Sequence, residues 1–407
     1  MTVDAQVEII RRGAVLIESE EELRAKLAQG RPLRVKHGAD ASSPRLHLGH
    51  AVQLRKLRQF QELGHEVIFI IGDFTARVGD PSGKSETRRL LSKEEAEHNA
   101  RRFTEQAGKI LDMGRVRVVL NSEWFSKMKF EDVIGLASKA TVARILERDD
   151  FAKRFAANHP ISVLELLYPL FQGYDSVAID ADIEMGGTDQ TFNFHQARAL
   201  MRAHDMEPQV LLTMPLLEGT DGHEKMGKSL GNTIDLIDTP AEKFGKIMSL
   251  PDHLMTKCFW LLTDVPEADL TALDQGLAGG TLHPGELKRR LAREIITFFD
   301  SAEDATAAER EFDARHKADA DAESLRSVAD DAPLSLSELD GGRMWLPKLL
   351  TGLKLVGSTS EARRMVQQGA VRIEGKRIAD FDVNVPVRDG MLVAVGKRRV
   401  VKVALRG

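Results

Sequence analysis

Short apolar runs bounded by glycine or polar residues recur along the first half of the chain. The runs at 33–38 (LRVKHG) and 66–73 (EVIFIIGD) have the apolar, β-branched composition of buried strands. Between them apolar residues recur at helical spacing from Leu54 to Leu63, and Gly64 is placed to end that helix. Further strands are predicted at 116–121, 176–185 and 209–215. This alternation predicts an α/β fold with a parallel sheet and crossover helices.

The second half of the chain has a different pattern. From about 240 to 330 the strand signal fades, and the sequence becomes helical and charged. Residues 301–324 are rich in alanine and charged side chains, and form either a solvated helix face or a mobile connection; the pattern leaves both open. A helix-like stretch at 360–369 is followed by short strands. The predicted parts are an α/β domain at 1–235, a helical domain at 236–330, a linker at 331–344 and a small α+β domain at 345–407.

Length and composition are those of a globular enzyme with two or three domains. The chain has 407 residues, of which 42% are hydrophobic and 29% charged. Cys258 is the one cysteine, so the sequence excludes a disulfide framework and a thiolate metal cluster. The first residues lack the long apolar stretch of a signal peptide, and the most apolar segment, 67–71, is too short to span a bilayer. We expect a cytoplasmic protein without a membrane partner.

Charge is distributed unevenly along the chain. The net charge is −5, yet the segment from Arg343 to Gly407 holds 14 lysine and arginine residues against 5 acidic ones. The preceding residues are therefore strongly acidic. Such an asymmetry predicts a polyanion-binding tail on an acidic body, although a basic surface without a partner has the same composition.

Two histidines stand three residues apart in SPRLHLGHAV, after the first predicted strand and at the start of a helix. His47 and His50 could hold a metal, bind a phosphate or be structural. A zinc site needs a third ligand, and no cysteine is nearby; the nearest upstream acid is Asp40, beyond Pro44. A helix N-terminus already favours anions, and Gly49 would let a nucleotide approach the backbone.

Two polar loops carry cations that suit phosphate groups. The segment GDPSGKSETRR at 79–89 holds Lys84 and Arg88, but it is no P-loop, because its glycines are separated by three residues instead of four. The segment EKMGKSLGN at 224–232 has Lys225 and Lys228 around a glycine. Lysine is a compact charge that suits a departing pyrophosphate. Taken alone, either loop could equally be ordinary solvated surface.

The histidine motif and the distant KMGKS together resemble the paired signature of class I aminoacyl-tRNA synthetases. Within that class, YPLFQGYDS at 168–176, GGTDQ at 186–190 and GDPSGK at 79–84 are similar to segments of tyrosyl-tRNA synthetases. The stretch at 358–378 resembles an S4-type RNA-binding domain. A check from the residues agrees with that substrate: Asp175 and Gln172, on one helix face, supply an acceptor and a donor for a phenol hydroxyl.

The resemblance implies a Rossmann-like catalytic domain at 1–235, an α-helical anticodon-binding domain at 236–330 and an S4-like domain at 345–407. It implies that L-tyrosine is activated with ATP to tyrosyl-adenylate and passed to tRNA(Tyr). ATP is then a substrate accompanied by Mg²⁺, with no prosthetic group and no metal site on the protein itself. The family is usually homodimeric. Alternatives are a tryptophanyl-tRNA synthetase, a small-molecule adenylyltransferase and a catalytically inactive RNA-binding relative.

Residue roles follow from the resemblance, position by position. The catalytic set is His47, His50, Lys84, Arg88, Lys225, Lys228 and Ser229. The ATP-binding set is Asp40, Ser42, Gly49, Asp189 and Lys228. The tyrosine-binding set is Lys36, Gly38, Thr75, Asp80, Tyr168, Gln172, Asp175 and Gln190. Lys36 departs from the family, since many relatives have tyrosine there, and we expect its ammonium to donate to the substrate in place of that phenol.

Overall fold

A computed structural model describes residues 1–39, 45–78, 92–316, 329–396 and 399–406. The chain divides into two compact units. One comprises Met1–Thr239 with Lys246–Phe299, and the other comprises Pro240–Gly245 with Asp300–Gly407. No helix in these ranges is long and apolar enough to cross a membrane.

Helices and strands are numbered in chain order. The α-helices are α1 Val3–Arg11, α2 Glu20–Ala28, α3 Leu48–Glu62, α4 Thr75–Val78, α5 Lys93–Ala107, α6 Ser122–Phe125, α7 Phe130–Ala137, α8 Val142–Leu146, α9 Asp149–Ala156, α10 Val163–Ala178, α11 Thr191–Ala203, α12 Pro240–Met248, α13 Met255–Leu262, α14 Glu267–Ala278, α15 Pro284–Phe299, α16 Ala302–His316, α17 Leu346–Gly352 and α18 Thr359–Gln367. The strands are β1 Leu16–Glu18, β2 Arg34–Ala39, β3 Glu66–Ile71, β4 Val116–Leu120, β5 Ile183–Gly187, β6 Val210–Met214, β7 Asp330–Ser335, β8 Arg343–Trp345, β9 Val371–Ile373, β10 Lys376–Arg377, β11 Asn384–Pro386, β12 Leu392–Val395 and β13 Arg399–Arg406.

The first unit is built on a largely parallel sheet, which confirms the α/β prediction. Its strand order is β1-β6-β5-β2-β3-β4, and β1 alone runs antiparallel to its neighbour within the described strands. From β2 the chain moves outward through β3 to β4, and it returns to the other side of β2 for β5 and β6. This reversal leaves the carboxyl ends of β2 and β5 side by side, with an opening between their outgoing connections.

The predicted elements around β2 are confirmed. Strand β3 is buried at every residue after Glu66, as a continuous apolar run in a parallel sheet should be, and β2 is buried at its centre, from Val35 to His37. In α3 the residues Leu54, Leu57 and Phe60 are buried on one face, which is the amphipathic stripe that the helical spacing predicts. The helix ends at Glu62 with Leu63 as its C-cap, and Gly64 follows with a φ of +88°, the left-handed conformation that glycine adopts freely.

The strand predicted at 176–185 is wrong from 176 to 182. Helix α10 runs on to Ala178, and β5 begins only at Ile183. A reciprocal capping box starts this helix: the Ser162 hydroxyl accepts from the Glu165 N–H at 3.2 Å, and the Glu165 carboxylate accepts from the Ser162 N–H at 2.9 Å. The apolar residues after Asp175 therefore continue a helical face, and local alternation mistakes them for a strand.

The two interpretations left open for 301–324 are resolved over part of that segment. Helix α16 extends from Ala302 to His316, with Ala305 and Ala308 buried and its charged residues largely outward. This part is thus a helix with one small packed face. Residues 317–324 lie outside the described ranges.

The linker predicted at 331–344 is wrong, because that stretch contributes strands β7 and β8 and buried side chains to the second unit. Strand β7 pairs in parallel with β13 at the edge of a sheet ordered β10-β9-β12-β13-β7, and β8 pairs with β11. Ala332 and Leu334 are buried in the same apolar cluster as Leu349 of α17 and Val403 of β13. Pro333 is exposed within β7, and an edge strand tolerates proline since one side needs no ladder hydrogen bond.

Close packing of α10 on α11 supplies a test of the fold. A Cβ atom on Gly173 of α10 would lie 2.8 Å from Leu200 Cδ1 and 3.1 Å from the Ala197 backbone. We expect Gly173→Ala to lower the free energy of unfolding by about 1–3 kcal/mol, as overpacking does. In Gly245→Ala, also in a helix, the Cβ meets nothing within 4 Å, and helix propensity should stabilise by up to about 1 kcal/mol. Urea denaturation measures both; equal stabilisation by the two substitutions would contradict the packing argument.

Candidate active site

A cavity of about 310 Å³ lies at the carboxyl ends of β2 and β5, where the strand order reverses. Most predicted site residues in the described part of the chain line it: Gly38, His47, Gly49, His50, Thr75, Tyr168, Gln172, Asp175, Asp189, Gln190 and Lys225. Five others lie outside the described residues, so their roles stay predictions: Asp40, Ser42, Asp80, Lys84 and Arg88. The fold thus brings together side chains from segments far apart in sequence.

The histidine pair occupies the first turn of α3. The Nδ1 atom of His50 accepts a hydrogen bond from the His47 backbone N–H at 3.2 Å, so the ring proton of a neutral His50 is on Nε2. The two rings are in contact, with centroids 3.9 Å apart. The nitrogen that His50 has left for a ligand is therefore a hydrogen-bond donor.

Both histidines are neutral at pH 7. Burial lowers the pKa of His47 to about 4, and the Lys228 ammonium adds to that shift. Burial likewise holds the pKa of His50 well below its usual value, with the His47 ring and Lys228 as further causes. The described residues contain no group of three or more histidine, cysteine, aspartate or glutamate side chains placed to hold a metal. The arrangement favours the anion interpretation, with imidazole N–H groups as donors at a helix N-terminus.

Gly49 separates the histidine turn from the KMGKS loop. A Cβ atom at this position would lie 3.0 Å from the His47 ring and 3.8 Å from the Met226 Cβ. Met226 and Lys225 line the same cavity from the loop side. A side chain at position 49 would therefore crowd the gap between the two motifs, as the sequence predicts for a glycine that admits a nucleotide.

The KMGKS loop places its two lysines differently. Lys225 lines the cavity with its Nζ 3.5 Å from an Asp189 carboxylate oxygen. Lys228 donates to the Arg45 carbonyl, and burial lowers its pKa to about 8, with the nearby Asp235 carboxylate opposing the shift. With its pKa at about 8, the Lys228 ammonium still carries charge at pH 7. Ser229 is exposed on the same loop.

The GGTDQ segment forms the turn from β5 into α11. Asp189 and Gln190 lie in a 3₁₀ turn at Thr188–Gln190 and point to the cavity. A Cβ atom on Gly187 would lie 2.6 Å from Asp189 Oδ1, so glycine is needed for the carboxylate to fold back over the strand end. Gln190 Oε1 accepts from Asn193 Nδ2 at 2.8 Å, which holds its amide in one orientation.

Asp175 is a buried carboxyl group at the base of the cavity, 4% exposed. Its Oδ1 accepts from the Trp124 indole N–H at 3.0 Å and its Oδ2 from Asn121 Nδ2 at 3.4 Å. Asn121 also donates to the Thr75 hydroxyl at 3.0 Å. Burial raises the pKa of Asp175 to about 7, although Lys36 and these two donors favour the ionised form. Sequence motifs identified Asp175 as an acceptor, and the structure shows that Trp124 and Asn121 orient its carboxyl group.

Lys36 does not take the place that we expected of it. Its Nζ donates to Glu184 Oε1 at 2.7 Å, to Ser176 Oγ at 2.8 Å and to the Gln172 carbonyl at 3.0 Å. An ammonium group has three donors, and all three are used inside the protein. The predicted direct contact between Lys36 and the substrate is therefore wrong. The Lys36 side chain lies behind the cavity wall, because it is paired with Glu184 on the neighbouring strand.

Two residues of the site carried no motif in the sequence. His37 lines the cavity with its Nδ1 3.1 Å from the Met185 carbonyl, and burial lowers its pKa to about 4. Glu184 is 1% exposed and accepts from Gln172 Nε2 at 3.0 Å. A polar residue inside an otherwise apolar strand was the available signal for both, because fully buried parallel strands are normally apolar.

Stability should depend on pH through the histidine pair. A histidine with a lowered pKa in the folded state takes up its proton on unfolding, so the free energy of unfolding falls as pH drops below the ordinary value of 6.5. At pH 5 we expect His47 alone to account for about 2 kcal/mol. Urea denaturation of wild type and of His47→Gln/His50→Gln between pH 7.5 and 5 measures this, with exposed His159→Gln as control. Parallel curves for wild type and the double variant would contradict the assignment.

The chain matches known proteins over most of its length. The family model described as tRNA synthetases class I (W and Y) matches residues 28–317, and that of the tyrosine–tRNA ligase SYY-like C-terminal domain matches residues 325–393. A tyrosine–tRNA ligase of Moorella thermoacetica is 52% identical over 402 residues, which cover 98% of this chain and 95% of that protein. One of Thermotoga maritima is 47% identical over 404 residues, which cover 99% and 98%.

Solved structures agree with these sequence matches. The crystal structure of tyrosyl-tRNA synthetase from Archaeoglobus fulgidus, complexed with L-tyrosine, superimposes with a TM-score of 0.63 at 26% identity. The match covers 75% of this chain and 99% of that one. The resemblance drawn from the motifs is thereby confirmed, and the chain belongs to the tyrosine–tRNA ligase family of class I aminoacyl-tRNA synthetases.

Proposed function

We propose that the cavity activates L-tyrosine with ATP and that the tyrosyl group then passes to the 3′ end of tRNA(Tyr). The observation that supports this most directly is the joint lining of one cavity by two kinds of group. The buried acceptor Asp175 lies at one part of it, and the histidine pair with Lys225 lies at another. A phenol and a triphosphate would each meet suitable partners there.

The amino acid half of the site is assigned to side chains around α10. We propose that Asp175 accepts a hydrogen bond from the phenol hydroxyl, because Trp124 and Asn121 hold the Asp175 carboxyl group in place. Gly38, Thr75, Tyr168, Gln172 and Gln190 complete the tyrosine set in the described part of the chain, with Asp80 as a further predicted member. A ligand without the hydroxyl would leave a buried acceptor unpaired, which is the physical basis for rejecting phenylalanine.

The nucleotide half is assigned to the two signature motifs. We propose that His47 and His50 donate N–H groups to phosphate oxygens and that Lys225, Lys228 and Ser229 close over the pyrophosphate. Asp189 would bind the ribose after releasing Lys225, its partner in this structure. Four residues outside the described ranges complete the predicted set: Asp40, Ser42, Lys84 and Arg88.

The chemistry follows from the charges of the reactants. The tyrosine carboxylate is already ionised at pH 7 and attacks the α-phosphate, so the step needs no protein base. One oxygen–phosphorus bond forms and the bond to pyrophosphate breaks. Catalysis then consists of positioning and of charge stabilisation on the transferring and leaving phosphates. Neutral histidines suit the positioning of phosphate oxygens, and lysine side chains suit the stabilisation of phosphate charge.

Magnesium is proposed to arrive with ATP. Phosphate oxygens are the ligands that Mg²⁺ prefers, and it usually keeps several waters. The described residues offer no cluster of carboxylates and histidines that would hold the ion independently. On this proposal the protein binds the ion through the nucleotide, in the cytoplasm where tRNA(Tyr) is charged.

The second unit is proposed to bind tRNA. Its segment from Arg343 onward holds the 14 basic residues against 5 acidic ones. Arg363 of α18 lies over the Trp345 and Phe381 rings, with its guanidinium carbon 5.3 and 5.4 Å from their centroids. Cationic side chains beside aromatic rings suit phosphates and unstacked bases. The helical domain predicted at 236–330 is proposed to contact the anticodon, as the family resemblance implies.

Pyrophosphate exchange into ATP is the test of the activity. We expect exchange with tyrosine and none with tryptophan or without an amino acid. Lys228→Ala should slow exchange by about 10²-fold, the usual effect of removing one transition-state donor, while the tyrosine dissociation constant changes little. Lys402→Ala, on β13, is the matched lysine control. A Lys228→Ala enzyme that exchanges normally but binds tyrosine weakly would contradict the pyrophosphate role.

A second copy of the chain is the proposed occupant of an apolar surface on the first unit. Five large apolar side chains between 130 and 163 are more than half exposed: Phe130 78%, Ile134 54%, Val142 59%, Phe155 66% and Val163 75%. Such a concentration of exposed apolar residues is typical of an interaction surface. A homodimer, the usual state of the family, would bury it.

Solution mass tests the homodimer. We expect the wild-type chain to have twice the mass of one chain in sedimentation equilibrium, and Phe130→Glu/Val163→Glu to shift it toward the monomer, because burying carboxylates is costly. Leu336→Glu, an exposed apolar residue in the second unit, should leave the mass unchanged. A monomeric wild type, or a dimer unaffected by the double substitution, would rule out this surface.

A further inference from the structure

A lysine and a glutamate face each other inside the central sheet. Lys36 on β2 and Glu184 on β5 are register partners on adjacent parallel strands, 0% and 1% exposed, with Nζ and Oε1 2.7 Å apart. Strands buried on both faces are normally apolar. A buried ion pair is generally no more stabilising than an apolar pair of the same volume, because both charges must be desolvated. Its presence calls for a reason other than stability.

The pair is fully hydrogen-bonded to its surroundings. Besides Glu184, the Lys36 ammonium binds Ser176 Oγ and the Gln172 carbonyl. Glu184 Oε1 also accepts from Gln172 Nε2 at 3.0 Å, while its Oε2 accepts from Ser176 Oγ at 2.9 Å and Gln209 Nε2 at 2.6 Å. One turn of α10, from 172 to 176, is thereby attached to both strands. That turn also carries Asp175.

The glutamate determines how the Gln172 amide is turned. A carboxylate can only accept hydrogen bonds, so the NH₂ group of Gln172 must face Glu184 and Oε1 must face away. Gln172 lines the cavity. Its Oε1 is buried and accepts no hydrogen bond from the described residues. A buried carbonyl oxygen without a partner is unfavourable, and a donor on a bound ligand would relieve it.

We propose that Lys36 and Glu184 are positioning residues for amino acid binding: they fix the Gln172 amide so that Oε1 is reserved for a hydrogen-bond donor of the ligand. The inference rests on the tyrosine site proposed above. Tyrosine has two such donors, the ammonium group and the phenol hydroxyl. Glu184 selects the acceptor face of Gln172, and Lys36 neutralises Glu184 in the dry interior while binding the helix backbone. Neither side chain touches the substrate.

Two double variants separate positioning from stability. Lys36→Met/Glu184→Met removes both charges at similar volume and leaves no acceptor for the Gln172 amide. Lys36→Met/Glu184→Gln also removes both charges but keeps an amide oxygen that can hold Gln172. Gln209, whose Oε1 is buried without a partner among the described residues, can turn to accept from the new amide. The comparison therefore changes one thing, the acceptor that faces Gln172.

We expect the Met/Met variant to raise the tyrosine dissociation constant at least about tenfold, the cost of one lost hydrogen bond. The Met/Gln variant should bind within about threefold of wild type, and the KM for ATP should stay within about twofold in both. Isothermal titration and pyrophosphate exchange measure these values, and thermal unfolding checks that both variants fold. Equal tyrosine affinity in both variants, or a parallel loss for tyrosine and ATP, would overturn the proposal.

A tyrosine-bound crystal structure of the wild-type chain provides a test that needs no variant to fold. We expect the Lys36–Glu184 pair intact and Gln172 Oε1 within hydrogen-bond distance of the ligand ammonium or hydroxyl. A ligand bound through Gln172 Nε2, or not bound to Gln172, would overturn the positioning role. A wild-type chain that binds no tyrosine would instead refute the proposed function itself, so the two failures are distinct.

Discussion

The parallel pairing of β2 with β3 on one side and β5 on the other is the constraint on which the site depends. Because the chain leaves β2 in one direction and returns on its other side, the connections after β2 and β5 diverge and leave a gap at the carboxyl edge. The N-terminus of α3, the wall of α10 and the turn into α11 all border that gap. Substrate-binding side chains need no shared stretch of sequence, since the sheet brings their strand ends to one edge.

Charge differs between parts of the cavity. Burial raises the pKa of Asp175 to about 7 and keeps His37, His47 and His50 neutral. Lysine side chains lie at the side of the KMGKS loop, where Lys225 is about half exposed. The phenol ring of tyrosine is neutral and the triphosphate of ATP is a polyanion, so the two groups require different environments. Different degrees of burial supply both environments within one cavity. Lys225 meanwhile pairs with Asp189, so two groups assigned to the nucleotide are partners of each other in this structure.

Local patterns in the sequence identified the elements whose environment is local. Strands β2 and β3 and helix α3 were predicted because a continuous apolar run or a one-sided stripe decides their burial. The segment at 176–185 was predicted wrongly, since its apolar residues extend a helix that starts far upstream at Ser162. Strand β7 was mistaken for a linker because its partner, β13, is close to the other end of the domain. Pairing between distant segments leaves little trace in a single strand.

Contacts between residues distant in sequence also limit what the sequence predicts about the site. Motifs identified many of the residues that line the cavity, but the chemistry of several depends on a partner that no motif includes. The His47 backbone N–H determines the tautomer of His50, and Glu184 determines the amide orientation of Gln172. Lys36 illustrates the point most clearly: its position in the motif suggested a substrate contact, and the residue opposite it in register turned it into a support. A sequence motif therefore indicates which side chains can contact a ligand. Which of their atoms donate and which accept hydrogen bonds is determined by neighbouring residues in the fold.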